Sequence, residues 1–231
     1  MAAPTYVSFN QATSAFTATG ATKSTASISW QSGDVLVAAL GAENTNGITL
    51  VAPTVSGLTF SMQKQNNPGT ASSTCASLIA TAVAASSGSG VITSTATGSR
   101  AGTTEWGMGV WVWRGSAGVG NSAEQHTSTK TVSLTPTGAD GAICWGVFDF
   151  AGGFTNTATP TATHSQVAIN SANYDVNLAD LADQVSSGAV SYGVTSSGTG
   201  PFSIVVVEVK AGAGGGSAFD IPQLGMTGVG F

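Results

Sequence analysis

The sequence predicts an all-β protein: a jelly-roll-like antiparallel β-sandwich over residues 1–211, followed by a flexible C-terminal tail over 212–231. Three observations predict it. Apolar residues alternate with a period of two in short runs rich in β-branched and aromatic side chains. Turn signals built from Gly, Pro, Asn and Asp bound these runs at short intervals. Long helical patterns are absent. The chain has 231 residues, 42% of them hydrophobic, enough for one sandwich with a packed interior.

Taken in order, Ser24–Trp30 (STASISW) is an apolar strand leading into the turn Gln31-Ser32-Gly33-Asp34. Asp34–Gly41 (DVLVAALG) and Leu58–Gln65 (LTFSMQKQ) follow as strands, separated from their neighbours by signals such as Asn66-Asn67-Pro68-Gly69. Cys75 lies in STCASLIATAV, a run with the composition of a buried strand. Met108–Gly115 (MGVWVWRG) places Trp111 and Trp113 on one face and Val110 and Val112 on the other. Both faces are apolar, which suits a central strand. Thr129–Pro136 alternates well, with Val132 and Leu134 on one side, and Ala142–Phe150 (AICWGVFDF), which contains Cys144, is apolar on both faces. Asp175–Gln184 (DVNLADLADQ) is the one segment with helical spacing, Leu178 and Leu181 standing three apart; a loop is the alternative. Ser203–Lys210 (SIVVVEVK) closes the sandwich. No segment repeats at a fixed period. Glycines cluster in Ala211–Ser217, a linker composition, and the apolar residues Phe219, Ile221, Leu224, Met226 and Phe231 follow. An apolar peptide on a glycine tether is expected to dock, on its own sandwich or on a neighbouring subunit by strand addition.

Charged residues make up 7% of the chain, against roughly 25% in an ordinary soluble domain. Mean hydropathy is +0.23. A surface of Ser, Thr, Gly, Ala and Asn loses little side-chain entropy on contact and lacks the charge that keeps monomers apart. The composition therefore predicts a subunit partly covered by neighbours. The net charge is −5, and the six bases, Lys23, Lys64, Arg100, Arg114, Lys130 and Lys210, are dispersed. Dispersed bases argue against nucleic acid and against an anionic membrane as partners. The N-terminal MAAPTYVSFN lacks a basic and apolar leader, so a protein made in the cytoplasm, with Cys75 and Cys144 as buried free thiols, is expected.

Catalytic constellations are not apparent, and the expectation is a non-enzymatic protein without cofactor or metal. The chain has no G-x-S-x-G elbow, and its histidines, His126 and His164, are isolated in sequence. Asp175, Asp180 and Asp183 are near one another but do not match a calcium-loop pattern. Asp149 and Glu208 interrupt apolar strands, where acids point outward or pair with a base; Lys210 shares a face with Glu208. Of Trp30, Trp106, Trp111, Trp113 and Trp145, four fall in apolar strand runs and are expected in the core. Trp106 follows Glu105 after a Gly/Thr loop and is the candidate for exposure and for stacking on a sugar ring.

The run SISWQSGDVLVAALG resembles the opening of a β-sandwich module found in bacteriophage virion proteins, notably minor tail proteins of actinobacteriophages. VWVWRG at Val110–Gly115, the stretch TKTVSLTPTGADGAICWGVF and the closing FSIVVVEVKA match later parts of that pattern. The resemblance spans roughly residues 20–211. It departs in Thr70–Arg100, which is richer in Ser and Thr, and in Thr155–Gln184, which is longer and more acidic. It implies a structural component of a tailed-phage virion, made in the host cytoplasm, with other virion proteins and copies of itself as partners. A capsid decoration protein and a module binding host-surface glycan are the alternatives.

Overall fold

The computed structural model describes residues 2–12, 15–16, 18–43, 47–66, 75–149, 156–170, 174–184, 186–198 and 200–212. The expected docking residues Phe219, Ile221, Leu224, Met226 and Phe231 lie outside the described residues. The expected antiparallel all-β sandwich is what the described residues form. Fifteen strands follow one another: β1 (Thr5–Gln11), β2 (Thr22–Trp30), β3 (Val35–Ala42), β4 (Ser61–Asn66), β5 (Ala76–Val83), β6 (Gly88–Thr95), β7 (Trp106–Arg114), β8 (Ser116–Thr127), β9 (Thr131–Leu134), β10 (Gly141–Asp149), β11 (Asn156–Thr159), β12 (His164–Asn170), β13 (Asp175–Gln184), β14 (Val190–Ser196) and β15 (Phe202–Ala211).

Two five-stranded sheets, β1-β7-β3-β5-β4 and β12-β13-β10-β15-β8, pack face to face. The pair β2-β6 covers the outer face of the first, and β11-β14-β9 covers the outer face of the second. This layering explains the sequence runs that are apolar on both faces. On β7, Trp111 and Trp113 face the opposite sheet, while Val110 and Val112 face outward beneath β2-β6. On β10, Ala142, Cys144 and Phe148 face inward, and Ile143, Trp145 and Val147 join Tyr192 and Phe202 in a second core. Close approach of the sheets needs small residues at chosen rungs. A Cβ on Gly41 would run into the Phe148 ring, and one on Gly109 would meet Leu178 and Phe9.

The two central sheets are one sheet built twice. Read from the edge, β1-β7-β3-β5-β4 corresponds strand for strand to β8-β15-β10-β13-β12. The register corresponds as well. All eight rungs of β3 with β7, from Val35↔Trp113 to Ala42↔Trp106, recur in β10 with β15, from Ala142↔Val209 to Asp149↔Phe202. Seven of the eight rungs of β3 with β5 recur in β10 with β13. The eighth is displaced by a bulge in β13, near Asp183 with φ 59. All five rungs of β4 with β5 recur in β12 with β13, and the bulge between Met62 and Lys64 recurs between Ser165 and Val167. Tyr6↔Trp113 corresponds to Val119↔Val209, each followed by a register shift. In the outer layers β2-β6 corresponds to β9-β14. The sheets stack with Tyr6 of β1 on His164 of β12, Trp111 of β7 on Asp180 of β13, and Ser77 of β5 on Ser203 of β15. The arrangement has the pattern of a two-fold that exchanges the halves. Each central sheet thus belongs to one half of the chain; a single jelly roll would interleave strands of both.

Several expectations are corrected. The absence of a repeat is the first. The link from central sheet to outer layer, Ser86-Ser87-Gly88 between β5 and β6, recurs as Ser186-Ser187-Gly188 between β13 and β14, but most equivalent positions share burial rather than identity: Trp111 and Trp113 correspond to Val207 and Val209. Asp175–Gln184 is a strand, not a helix or loop, because it pairs on both sides and places Leu178 and Leu181 on opposite faces. Glu208 and Asp149 do not point into solvent; each is 1% exposed. Among the described residues Glu208 forms no ion pair with a lysine; it accepts hydrogen bonds from Thr137 N, Thr137 Oγ1 and Asn121 N, at 2.8, 2.9 and 3.1 Å. Cys75 and Cys144 are buried free thiols.

Candidate functional site

The duplication supplies an internal control. Where one half carries polar or charged groups and its equivalent carries hydrocarbon, the difference is not demanded by the sheet. Two such places stand out, both in or beside the seam between the halves.

The first is where β1 lies over β12. Asp180 on β13 is fully buried. It accepts a hydrogen bond from Trp111 Nε1 at 3.2 Å and pairs with His164 Nδ1 at 2.8 Å. Gln166 Nε2 lies 3.4 Å from Asp180 Oδ1 and 3.3 Å from the Tyr6 hydroxyl. The Tyr6 and His164 rings stack with centroids 4.3 Å apart. Burial pushes the Asp180 carboxyl up, and the His164 hydrogen bond and charge oppose that shift. At the equivalent place, where β4 lies over β8, Asp180 is replaced by Thr81, His164 by Ser61, Tyr6 by Val119 and Trp111 by Val207. Gln166 alone has a like counterpart: Gln63, within the matching bulge, donates to Thr81 Oγ1 at 2.8 Å.

The second is the end of the sandwich where β3 and β10 finish. Glu43 and Glu105 continue the β3–β7 ladder, with Glu43 N donating to Glu105 O at 3.1 Å. Burial pushes the Glu43 carboxyl up to about 7, helped by the hydrogen bond and charge of Glu105. Asp149 and Asp175 stand directly opposite on β10 and β13, each 1% exposed. The corresponding rung in the first half is Ala42↔Ala76. Four of the eleven acids therefore gather at one end. The void they border, beside Phe16, Phe148 and Tyr174, measures ≈ 10 Å³, room for about one water rather than a substrate. Among the described residues, no group of three or more His, Cys, Asp or Glu is arranged to hold a metal.

Trp106 is corrected here. It is fully buried, covered on the outer face of β7, and its Nε1 donates to Gly20 O at 2.6 Å. It offers no ring face to a sugar. The other four tryptophans are buried as expected.

Among the described residues, β8 is an edge strand of the second central sheet, as β12 is at its other side. Among the described residues β8 pairs in this sheet with β15 alone, and from Ser122 to Thr127 their ladder runs without a bulge. Glu124 and His126 are the ionisable residues along β8, and neither Lys nor Pro guards that edge. Comparison with family models, curated proteins and solved structures finds no match to the chain.

Proposed function

We propose that the chain is a non-enzymatic structural protein of a tailed-bacteriophage virion, a minor tail protein that assembles through subunit contacts and its C-terminal segment. The β8 edge is the observation that supports the assembly reading most directly. An unguarded ladder edge exposes backbone donors and acceptors ready to pair with another strand. The low charge of the whole chain points the same way, since little electrostatic repulsion opposes close contact. The sequence resemblance supplies the virion context.

Deleting residues 213–231 tests this reading. The deletion keeps Gly212, whose N donates to Ala2 O at 3.1 Å, so the described fold stays closed. Truncated protein is expected to fold but to be lost from purified particles, while the full chain enters them in few copies. Incorporation of the truncated chain at the full-length level would refute the anchor role. A count in the hundreds per particle would refute the tail assignment in favour of the capsid shell.

A further inference from the structure

We propose that the free edge of β8 binds the same edge of a second copy of this chain, the two strands pairing antiparallel about a two-fold axis at Gln125, so that the second central sheet runs on through a dimer. The proposal rests on the assembly reading above and names the partner. Among the described residues, the edges of the two central sheets are β1, β4, β12 and β8. Proteins protect such edges by keeping them short, bulged or charged. Three of the four fit that rule. Bulges leave β1 a regular stretch of four residues, 8–11, β12 one of four, 167–170, and β4 one of three, 64–66, which includes Lys64. β8 keeps six, 122–127. Among the described residues, no backbone-to-backbone hydrogen bond joins those six to any strand but β15.

Charge selects the register. A two-fold axis normal to the sheet pairs each residue with one of the same face, so the axis passes through a residue. An axis at Ala123 or at His126 leaves only three residues of the bulge-free stretch paired, whereas one at Glu124 or Gln125 pairs five. An axis at Glu124 would set two carboxylates directly opposite, which is destabilising. An axis at Gln125 places Glu124 of each copy opposite His126 of the other, and Ala123 opposite Thr127. Acid then faces imidazole at two places in the dimer. β8 is complementary to itself in that one register.

The duplicated sheet argues that the length of this edge is not a structural necessity. β1 is the equivalent of β8, and its ladder ends at Gln11↔Gly109, the rung that corresponds to Glu124↔Val205. The first sheet closes without going further. β8 continues for three more rungs, Gln125, His126 and Thr127. Those extra residues supply the axis and the partners of Glu124 and Ala123.

Sedimentation of the purified full-length protein should show a dimer of two 22.7 kDa chains, shifted toward monomer by Glu124→Lys, which places a lysine on the edge. Cysteine cross-linking reads the register. Cys75 and Cys144 are buried, so an added surface thiol is the one that reacts. Gln125→Cys is expected to give a disulfide-linked dimer on oxidation. Ala123→Cys and Thr127→Cys stand off the axis, each about 13 Å from its own copy along the pair, beyond the reach of a disulfide. Neither should cross-link alone, and a mixture of the two should. A wild-type protein that stays monomeric at the highest attainable concentration would overturn the proposal, as would cross-linking equal at all three positions or absent at Gln125→Cys. Cross-linking that appears only after deletion of residues 213–231 would assign the edge to the C-terminal segment and overturn it too. Entry into particles, read by the deletion test above, stands or falls separately from these results in solution.

Discussion

Replacing Gly41 by Ala, alone and with Phe148→Ala, tests how the two halves interlock. Gly41 on β3 and Phe148 on β10 are equivalent positions, and they meet each other across the seam. The ring fills the space that a Cβ on Gly41 would need. It is 2% exposed and stacks on Phe16 with centroids 6.0 Å apart. Overpacking by one methyl against a ring held on two sides is expected to cost about 1–3 kcal/mol. Phe148→Ala alone opens a cavity and is expected to cost about 3–5 kcal/mol. Independent effects would sum to about 4–8 kcal/mol. In the double variant the new methyl enters space the ring has left, so the loss should not exceed that of Phe148→Ala. The expected coupling is therefore about 1–3 kcal/mol in the favourable direction. Urea unfolding of the four proteins measures it, provided the m-values agree. Additive losses would show that Gly41 and Phe148 do not compete for one space, and the face-to-face stacking of β3 on β10 would be wrong.

His164→Ala removes the partner of a buried carboxylate. Loss of one member of a buried pair costs about 3–5 kcal/mol. His164 is 36% exposed, so solvent screening reduces the expected loss to about 1–3 kcal/mol. Adding Asp180→Asn should recover part of it, and a double variant less stable than His164→Ala would contradict the pairing. Glu43 gives a pH dependence. Its carboxyl rises from 4.5 to about 7 on folding, so the folded state binds more protons between those values. Stability should fall as pH rises through that window, and Glu43→Gln should flatten the profile there. An unchanged profile in thermal melts would remove Glu43 as its source.

Much of the layering was legible in the sequence. Val110, Trp111, Val112 and Trp113 announce a strand apolar on both faces, and such a strand needs cover on each side. What misled was local. Asp175, Asp180 and Asp183 look like a solvated helix start, yet Asp175 and Asp180 are buried by tertiary pairing that no local pattern states. Trp106 follows a polar loop, but the Ala18–Lys23 segment folds over it: Lys23 Nζ lies 5.9 Å from the ring centroid and bonds Ala18 O. Read as a helix or loop, 175–184 gives no hint of the His164–Asp180 pair. Read instead as strands, HSQVAIN and DVNLAD alternate, and antiparallel pairing puts His164 across from Asp180. The duplication stayed hidden because a sheet buried on both faces demands volume and apolarity rather than particular residues.

The asymmetry of the seam can be traced to its tryptophans. Trp111 and Trp113 occupy inward positions that Val207 and Val209 occupy in the other half. Valine asks nothing of the facing sheet. Each buried indole carries an N–H that must find an acceptor. Asp180 Oδ1 accepts from Trp111, and Cys144 Sγ, at 3.2 Å, accepts from Trp113. Cys144 corresponds to Val37, and Asp180 to Thr81, so both acceptors appear only opposite the indoles. A fully buried carboxylate then needs a counter-group within reach of water, which His164 provides at the rim, with Tyr6 stacked on its ring. The polar rim at the β1–β12 seam is in this sense the outer end of a requirement set by two aromatic residues in the core. The β4–β8 seam, with valine at those positions, closes with Gln63 and Thr81 alone.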